Sequence, residues 1–281
     1  MGYDVIVLGS GPAGLAAAVA ARGRGKRVLV VGNRWQDSPL ARAERVDNYP
    51  GLPGLTGAQL LERFFAHARD MGVEMAEGRV VSVMEWEGFH LTVGSDVYQG
   101  AALILAPGVQ RQAKFPGEQE YLGRGVSYCA TCDGMLYRGK RVAVVGRSPE
   151  AVHEANYLQS IGCRVTYVAG EQPEGLDGEI PFVYAQRLRV VGEETVTVLD
   201  CDGTAVPCSG VFILHRAVAP GDLLPGLALE DGVIRVDRNM ATNLPGVFAA
   251  GDCTGGQLQI AKAVGEGHVA GLSACAYLDR T

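Results

Sequence analysis

Two cysteines three residues apart carry the most specific chemistry in this sequence. Cys129 and Cys132 enclose Ala130-Thr131, and Asp133 follows them directly. Such a pair is either half of a metal site or a redox dithiol. A zinc site needs two more ligands, and the sequence contains no second Cys-x-x-Cys and no paired histidines. The pattern therefore favours a redox disulfide without a metal, with Asp133 placed to pass protons to a thiol.

A glycine-rich turn near the start of the chain carries the second signal. Gly9, Gly11 and Gly14, with Pro12 and Ala13 between them, have the spacing G-x-G-x-x-G between an apolar run and an Ala-rich stretch. The first glycine permits a tight turn, the second lets a pyrophosphate approach the backbone, and the third lets helix and strand pack closely. This context predicts dinucleotide binding; a purely structural turn is the alternative.

The ribose end of this pattern departs from the usual fingerprint. An acidic residue is expected about 20 residues after the glycines, whereas here the next apolar run ends in Val31-Gly32-Asn33. Asn33 can still bond a ribose hydroxyl, although a neutral amide binds it more weakly than a carboxylate does.

A third signal lies near the C-terminus. The apolar run from Gly246 ends in Gly251-Asp252, shortly before a helix-like stretch from Gln259 to Leu278. Asp252 could hold a ribityl or pyrophosphate-linked group there. It could equally cap a helix, and the two roles are compatible.

The elements that position these motifs recur twice along the chain. Residues 3–31 and 141–168 both read as a buried strand, a turn, a helix and a second strand. Buried apolar strands alternating with helices indicate parallel sheets of the α/β class. The sequence therefore predicts two doubly wound units, one of them split by the other.

Composition limits the classes of function. The chain has 281 residues, of which 47% are hydrophobic and 20% charged, as in a globular protein. The net charge of -6 gives no support for nucleic-acid or anionic-membrane binding. Asp4 stands where a signal peptide carries basic residues. Seven scattered cysteines do not form the framework of a secreted protein, so we expect a cytoplasmic location and no membrane partner.

Taken together, the motifs resemble the low-molecular-weight thioredoxin reductases. The resemblance runs in order through nearly the whole chain, on four segments: Gly9–Gly14, Asp47–Gly51, Gly123–Gly134 and Gly246–Asp252. It implies two Rossmann-like domains of the glutathione-reductase type, the second inserted in the first. Residues 1–112 and 241–281 would bind FAD, and residues 113–240 would carry the dithiol on a degenerate NAD(P)-type fold.

The resemblance also implies roles for single residues. Cys132 would lie against the flavin, Cys129 would exchange with the disulfide of thioredoxin, and Asp133 would be the acid and base. The residues that would hold FAD come from the motifs above: Gly9, Gly11, Pro12, Ala13, Gly14, Asn33, Asn48, Gly251, Asp252, Gln259 and Ile260. A homodimer is implied in the same way.

The second glycine turn departs from a working NADPH site. Ser148 stands where the second glycine allows the pyrophosphate to approach, so a Cβ intrudes. The six residues after Val168, from Ala169 to Glu174, contain no Arg or Lys. Glu171 would repel a 2′-phosphate, although it could accept hydrogen bonds from the ribose of NAD.

One subgroup of the family matches these departures. Its members lack pyridine-nucleotide motifs and take electrons from reduced ferredoxin, so ferredoxin is the expected donor and thioredoxin the expected acceptor. Two alternatives share the FAD and the dithiol: an NAD(P)H-dependent thioredoxin reductase, and a flavin-dependent oxidase of small dithiols.

Two groups of basic residues each allow more than one role. His215 and Arg216 either fill the vacant nicotinamide space, touch the flavin edge, or form a plain surface pair. Four basic residues follow the dithiol and form either a docking patch for acidic ferredoxin or a solvated strand start: Arg138, Lys140, Arg141 and Arg147.

Overall fold

The chain forms two compact units. The computed structural model describes residues 2–108, 114–148, 151–215 and 220–281. Unit 1 comprises Met1–Gln110 with Ala217–Thr281, and unit 2 comprises Arg111–Arg216.

Unit 1 is built on a seven-stranded sheet. Its strands run in the order β3-β2-β1-β6-β5-β4, and β17 also pairs with β6. The strands are β1 Tyr3–Leu8, β2 Val28–Gly32, β3 Glu74–Glu77, β4 Val80–Glu85, β5 Phe89–Val93, β6 Asp96–Leu105 and β17 Val247–Ala249. Strands β3, β2, β1, β6 and β17 are parallel, and β4 and β5 add an antiparallel edge. Parallel strands buried on both faces need continuous apolar runs, as β1 and β2 provide.

Two long helices of unit 1 pack closely against each other. They are α1, Pro12–Gly23, and α6, Ile260–Leu278. A Cβ added at Gly267 of α6 would lie 2.1 Å from the carbonyl oxygen of Ala13, and one at Gly271 would lie 2.4 Å from that of Ala17. Glycine at both positions therefore brings α6 down onto the start of α1, beside the glycine-rich turn.

The remaining elements of unit 1 are shorter. Helix α2, Gly57–Asp70, begins with a capping box between Thr56 and Gln59. The other elements are α5 Pro220–Leu223, strands β15 Leu229–Glu230 and β16 Val233–Ile234, and 3-10 turns at Trp35–Asp37, Pro39–Arg42 and Asp252–Thr254.

Unit 2 repeats the doubly wound pattern on a smaller scale. A parallel sheet runs in the order β10-β9-β8-β14-β7, and β11, β12 and β13 form an antiparallel sheet. The strands are β7 Val126–Ser127, β8 Arg141–Arg147, β9 Arg164–Ala169, β10 Phe182–Tyr184, β11 Leu188–Gly192, β12 Val196–Cys201, β13 Thr204–Pro207 and β14 Gly210–His215. The helices are α3 Ala130–Asp133 and α4 Ala151–Ser160, with a 3-10 turn at Gly134–Tyr137.

The α/β class with two Rossmann-like units is confirmed. The second division between the units lies at 216/217, whereas the sequence analysis placed it at 240/241. The reason is packing: β16 contacts the 3-10 turn at Asp252–Thr254, and α5 contacts β4. Residues 220–240 therefore belong with unit 1, although their sequence carries no motif that reveals it.

Candidate active site

The dithiol lies at the start of α3 in unit 2. Cys129 is the N-cap residue of this helix and is bonded to Cys132, with a Cα–Cα distance of 5.4 Å. The backbone N–H of Cys132 donates to the Cys129 sulfur at 3.1 Å, and the Thr131 hydroxyl lies 3.3 Å from the same sulfur. Hydrogen bonds of this kind favour the charged form of a thiol. They would therefore stabilise a thiolate on Cys129 once the disulfide opens.

A serine that the sequence analysis missed holds Asp133 in place. The Ser127 hydroxyl accepts from the backbone N–H of Cys129 at 3.1 Å and donates to the Asp133 carboxylate at 2.7 Å. This bridge links the carboxylate of the residue that follows Cys132 to the backbone of Cys129. Ser127 precedes the motif and has no pattern of its own, so only the fold reveals it.

The two sulfurs differ in accessibility. Cys129 retains 5% of its exposure, whereas Cys132 is exposed. The apolar side chains that follow it, Met135 and Leu136, are 57% and 69% exposed. In this structure a partner protein could reach Cys132 more readily than Cys129, the opposite of the accessibility that the resemblance implies.

In unit 1 the first glycine turn has the shape of a dinucleotide cradle. Gly9 adopts a φ of +117°, and a Cβ there would lie 2.1 Å from the Ala106 carbonyl oxygen. A Cβ at Gly14 would lie 1.9 Å from the Gly9 carbonyl oxygen, whereas the space at Gly11 is open to 4 Å. Helix α1 begins at Pro12 without a side-chain cap. Its first N–H groups can therefore donate to a pyrophosphate.

Of the other predicted cofactor residues of unit 1, Gly251 and Asn33 lie beside this turn, and Asn48 and Gln259 contact each other. Gly251 has a φ of +88°, and a Cβ there would lie 2.7 Å from that of Ala13. The Asn48 amide donates to the Gln259 side chain at 2.9 Å, although the two residues are 211 positions apart. Gln259 is the N-cap of α6 and Ile260 its first residue. Asn33 follows directly after β2, and its carbonyl accepts from the Ser10 hydroxyl at 2.8 Å.

The Asp252 carboxylate lies in a partly desolvated position. Burial raises its pKa, nearby Lys262 lowers it, and Glu266 raises it. A raised pKa means that the ionised carboxylate costs the folded state stability as the pH rises. A charged group kept at such a cost is typical of a binding site. The residues of this turn and of the glycine cradle thus fit a large dinucleotide such as FAD.

Two residues that the sequence analysis missed stabilise the Gly251–Gly255 turn. The Lys262 ammonium donates to the Gly251 carbonyl at 3.0 Å and to the Gly255 carbonyl, and pairs with Glu266 at 3.1 Å. The Glu266 carboxylate accepts from the Gly251 N–H at 2.9 Å and from the Thr254 hydroxyl at 3.0 Å. Lysine and glutamate four residues apart on a helix were the available signal.

We expect Lys262→Met to lower the affinity for FAD about tenfold, because losing the bonds to the Gly251 and Gly255 carbonyls loosens the turn, and a cost of about 1.4 kcal/mol to FAD binding is a factor of ten. Fluorescence of FAD released on dilution measures this change. Lys26→Met is the matched control, since Lys26 pairs with Asp279 at the far end of α6. Adding Glu266→Gln should recover part of the loss, because it removes a partly buried negative charge that has lost its ammonium partner. Unchanged affinity in Lys262→Met would show that the turn keeps its shape without the ammonium.

The second glycine turn, in unit 2, is different. Ser148 occupies the position that corresponds to Gly11, and its buried hydroxyl has no hydrogen-bond partner in the part of the chain that the structure describes. A Cβ at Gly146 would lie 2.0 Å from the Tyr167 hydroxyl. Beyond β9, Glu171 is exposed. The part of this turn that the structure describes, up to Ser148, has no open cradle like that at Gly11.

The four basic residues after the dithiol do not form one patch. Arg141 and Arg147 are the two ends of β8, about 20 Å apart at a strand's rise of about 3.3 Å per residue. Arg141 instead pairs in register with Arg164. His215 ends β14, but its side chain and all of Arg216 lie outside the described residues.

None of the helices within residues 2–108, 114–148, 151–215 and 220–281 is long and apolar enough to cross a membrane. The same residues contain no group of three or more His, Cys, Asp or Glu side chains placed to hold a metal ion.

Comparison with known proteins gives consistent matches over the chain. The profile of the family described as pyridine nucleotide-disulphide oxidoreductase matches residues 3–267. A thioredoxin reductase of Listeria monocytogenes is 33% identical over 99% of this chain and 94% of its own length.

Solved structures agree. A ferredoxin-flavin thioredoxin reductase from Clostridium acetobutylicum is 41% identical, covers 99% of both chains and has a TM-score of 0.91. A thioredoxin reductase from Gloeobacter violaceus is 31% identical, covers 99% of this chain and 94% of its own, and has a TM-score of 0.81. The chain therefore belongs to the thioredoxin reductases, the FAD-binding flavoenzymes with a redox-active disulfide within the pyridine nucleotide-disulphide oxidoreductase family.

Proposed function

We propose that this flavoenzyme reduces the disulfide of thioredoxin through FAD and the Cys129–Cys132 dithiol, with reduced ferredoxin as electron donor. In this proposal unit 1 holds FAD through the glycine cradle, Asn33, the Asn48–Gln259 pair, Ile260 and the Gly251-Asp252 turn. Unit 2 carries the dithiol. The similarity to the Clostridium acetobutylicum ferredoxin-flavin enzyme supports the choice of donor.

The choice of ferredoxin as electron donor depends mainly on the difference between Gly11 in unit 1 and Ser148 in unit 2. The space at Gly11 is open to 4 Å, whereas a side chain stands at the matching position of unit 2. A 2′-phosphate also needs fixed positive charge, and the stretch from Ala169 to Glu174 supplies none. At these two places the described residues of unit 2 therefore supply neither feature that NADPH requires. Ferredoxin needs neither, because it delivers electrons without binding as a nucleotide.

The surroundings of the disulfide favour a protein as the electron acceptor. Cys132 is exposed beside the exposed Met135 and Leu136. Large apolar side chains grouped at the surface are typical of protein interfaces. A small dithiol needs no such surface, so thioredoxin is favoured over the substrate of a dithiol oxidase.

In this proposal, residues of unit 2 exchange thiols with thioredoxin and transfer the proton. Bound FAD supplies the ability to accept electrons singly and to deliver them in pairs. We propose that Cys129 attacks the thioredoxin disulfide, that Cys132 resolves the mixed disulfide, and that Asp133 exchanges the proton while Ser127 holds its carboxylate. The Ser127–Asp133 bond of 2.7 Å, which restrains the carboxylate of the residue after Cys132, supports this assignment.

We also propose a cytoplasmic homodimer. The dimer rests on the family resemblance. The location agrees with the five cysteines outside the dithiol, which are all unpaired and buried, as expected in a reducing compartment. Sedimentation of the holoenzyme tests the dimer.

Anaerobic flavin spectra test the electron donor. We expect reduced ferredoxin to bleach the flavin and to drive thioredoxin reduction, and micromolar NADPH or NADH to leave the flavin oxidised. The Cys129→Ser variant is the matched control, because its flavin should still bleach with ferredoxin while thioredoxin turnover stops.

Efficient turnover with NADPH and none with ferredoxin would overturn the proposal and restore an NADPH-dependent reductase. Oxygen consumption with a small dithiol, without any thioredoxin turnover, would instead identify a dithiol oxidase.

A further inference from the structure

A glutamate from the helix beside the dithiol contacts the backbone of the motif itself. Glu154 lies in the first turn of α4, and its carboxylate accepts from the backbone N–H of Ala130 at 3.0 Å. Ala130 is fully buried and Glu154 is half-buried. The carboxylate therefore bonds the peptide unit that directly follows Cys129, in a partly desolvated position.

The packing of α3 on α4 holds this contact. Gly134, directly after α3, would place a Cβ 2.8 Å from the Leu158 side chain and 3.6 Å from that of Tyr157. The Tyr128 hydroxyl, just before the dithiol, donates to buried Glu118 at 3.0 Å. The other titratable groups on the elements around the dithiol are Asp133 and Tyr137 beside it, His153, Glu154 and Tyr157 on α4, and Arg147 at the end of β8. Among these groups, Glu154 bonds the motif's own backbone.

We propose that Glu154 is a positioning residue whose carboxylate fixes the start of α3 and disfavours the thiolate of the opened dithiol, which makes the dithiol a stronger reductant. This inference rests on the proposed function, in which the dithiol passes electrons to thioredoxin.

The balance of the step shows why charge matters. Opening the Cys129–Cys132 disulfide breaks the S–S bond and takes two electrons and one proton, leaving one thiol and one thiolate. The family's reduced flavin supplies the electrons, and Asp133 or solvent supplies the proton. A nearby carboxylate does not affect the neutral disulfide, but it repels the thiolate and raises the pKa of the thiol. The disulfide is thereby favoured over the dithiol, as a donor of electrons to thioredoxin requires.

Two substitutions separate charge from hydrogen bonding. Glu154→Gln keeps an acceptor for the Ala130 N–H and removes the charge, whereas Glu154→Ala removes both. Glu194→Gln is the matched control, since it removes one exposed carboxylate from the turn between β11 and β12. Flavin absorbance and circular dichroism confirm that each holoenzyme remains folded.

The measurement is the pH profile of dithiol alkylation by iodoacetamide in the reduced holoenzyme, with mass spectrometry to locate the label. Cys132 is exposed, whereas Cys129 and the remaining five cysteines are buried, so the label located on Cys132 is the one followed. We expect Glu154→Gln to lower the midpoint by about one pH unit, which makes alkylation below both midpoints about tenfold faster. The equilibrium constant for reduction by glutathione should rise several-fold, and Glu194→Gln should match the unaltered protein.

A Glu154→Gln profile identical to that of the unaltered protein, with a shift in Glu154→Ala alone, would overturn the inference, because the role would then be the hydrogen bond only. Neither readout uses ferredoxin or thioredoxin. A failure of the proposed donor therefore leaves this result interpretable, and a failure here leaves the donor comparison intact.

Discussion

Replacing either cysteine of the pair by serine should reduce thioredoxin turnover about a thousandfold or more, because no disulfide can then form at the site. The two variants should differ in what they trap. In Cys132→Ser the Cys129 thiolate can still attack thioredoxin, but nothing resolves the product, so a mixed disulfide accumulates. Cys129→Ser should trap little. Non-reducing electrophoresis with thioredoxin measures the trapped complex.

Two observations bear on Cys129 as the attacking thiol: its hydrogen bonds favour this role, and its burial does not. The Cys132 N–H lies 3.1 Å from the Cys129 sulfur, which favours its thiolate, and the thiolate is the nucleophile. Cys129 is nevertheless buried, whereas Cys132 is exposed. A trapped complex in Cys129→Ser and none in Cys132→Ser would assign the exchange to Cys132. Both variants should remain yellow, because the proposed FAD site lies in unit 1.

The parts of the site that the sequence predicted are local in the chain. The glycine turn, the Cys-x-x-Cys pair and Gly251-Asp252 each have a backbone shape set by near neighbours, so adjacent residue types are sufficient to recognise them. The α/β class followed in the same way, from apolar runs that alternate with helical stretches. Such patterns can be recognised from the sequence because their backbone shape depends on adjacent residues and not on contacts with distant parts of the chain.

The parts that escaped prediction are contacts across the fold. Glu154 bonds the Ala130 N–H because α4 packs beside α3. Lys262 bonds the Gly251 carbonyl because α6 packs against α1. Asn48 and Gln259 were assigned by resemblance, and their mutual bond required the folded chain. The division at 216/217 depends on the packing of residues 220–240, whose sequence has no distinctive period.

The glycine cradle allows a sharp test of the FAD site within one turn. We expect Gly11→Ala to leave the fold intact, because its φ of −83° and ψ of −175° suit alanine and the space there is open to 4 Å. The added methyl group would occupy the place proposed for the pyrophosphate. The affinity for FAD should therefore fall about a hundredfold, the equivalent of about 2.7 kcal/mol. Flavin absorbance after gel filtration measures the retained FAD.

Gly14→Ala is the matched variant, with the same added methyl group three residues along the chain. Its Cβ would lie 1.9 Å from the Gly9 carbonyl oxygen and 3.2 Å from the Val7 side chain, so α1 has to move away from β1. Because that movement disrupts a close-packed core, we expect a lower unfolding temperature as well as loss of FAD. Gly11→Ala should lose only the FAD, with circular dichroism and unfolding temperature close to those of the unaltered protein stripped of flavin. Full retention of FAD by Gly11→Ala would place the pyrophosphate elsewhere and remove the basis for the unit 1 cradle, whereas equal unfolding of both variants would show that the whole turn is structural.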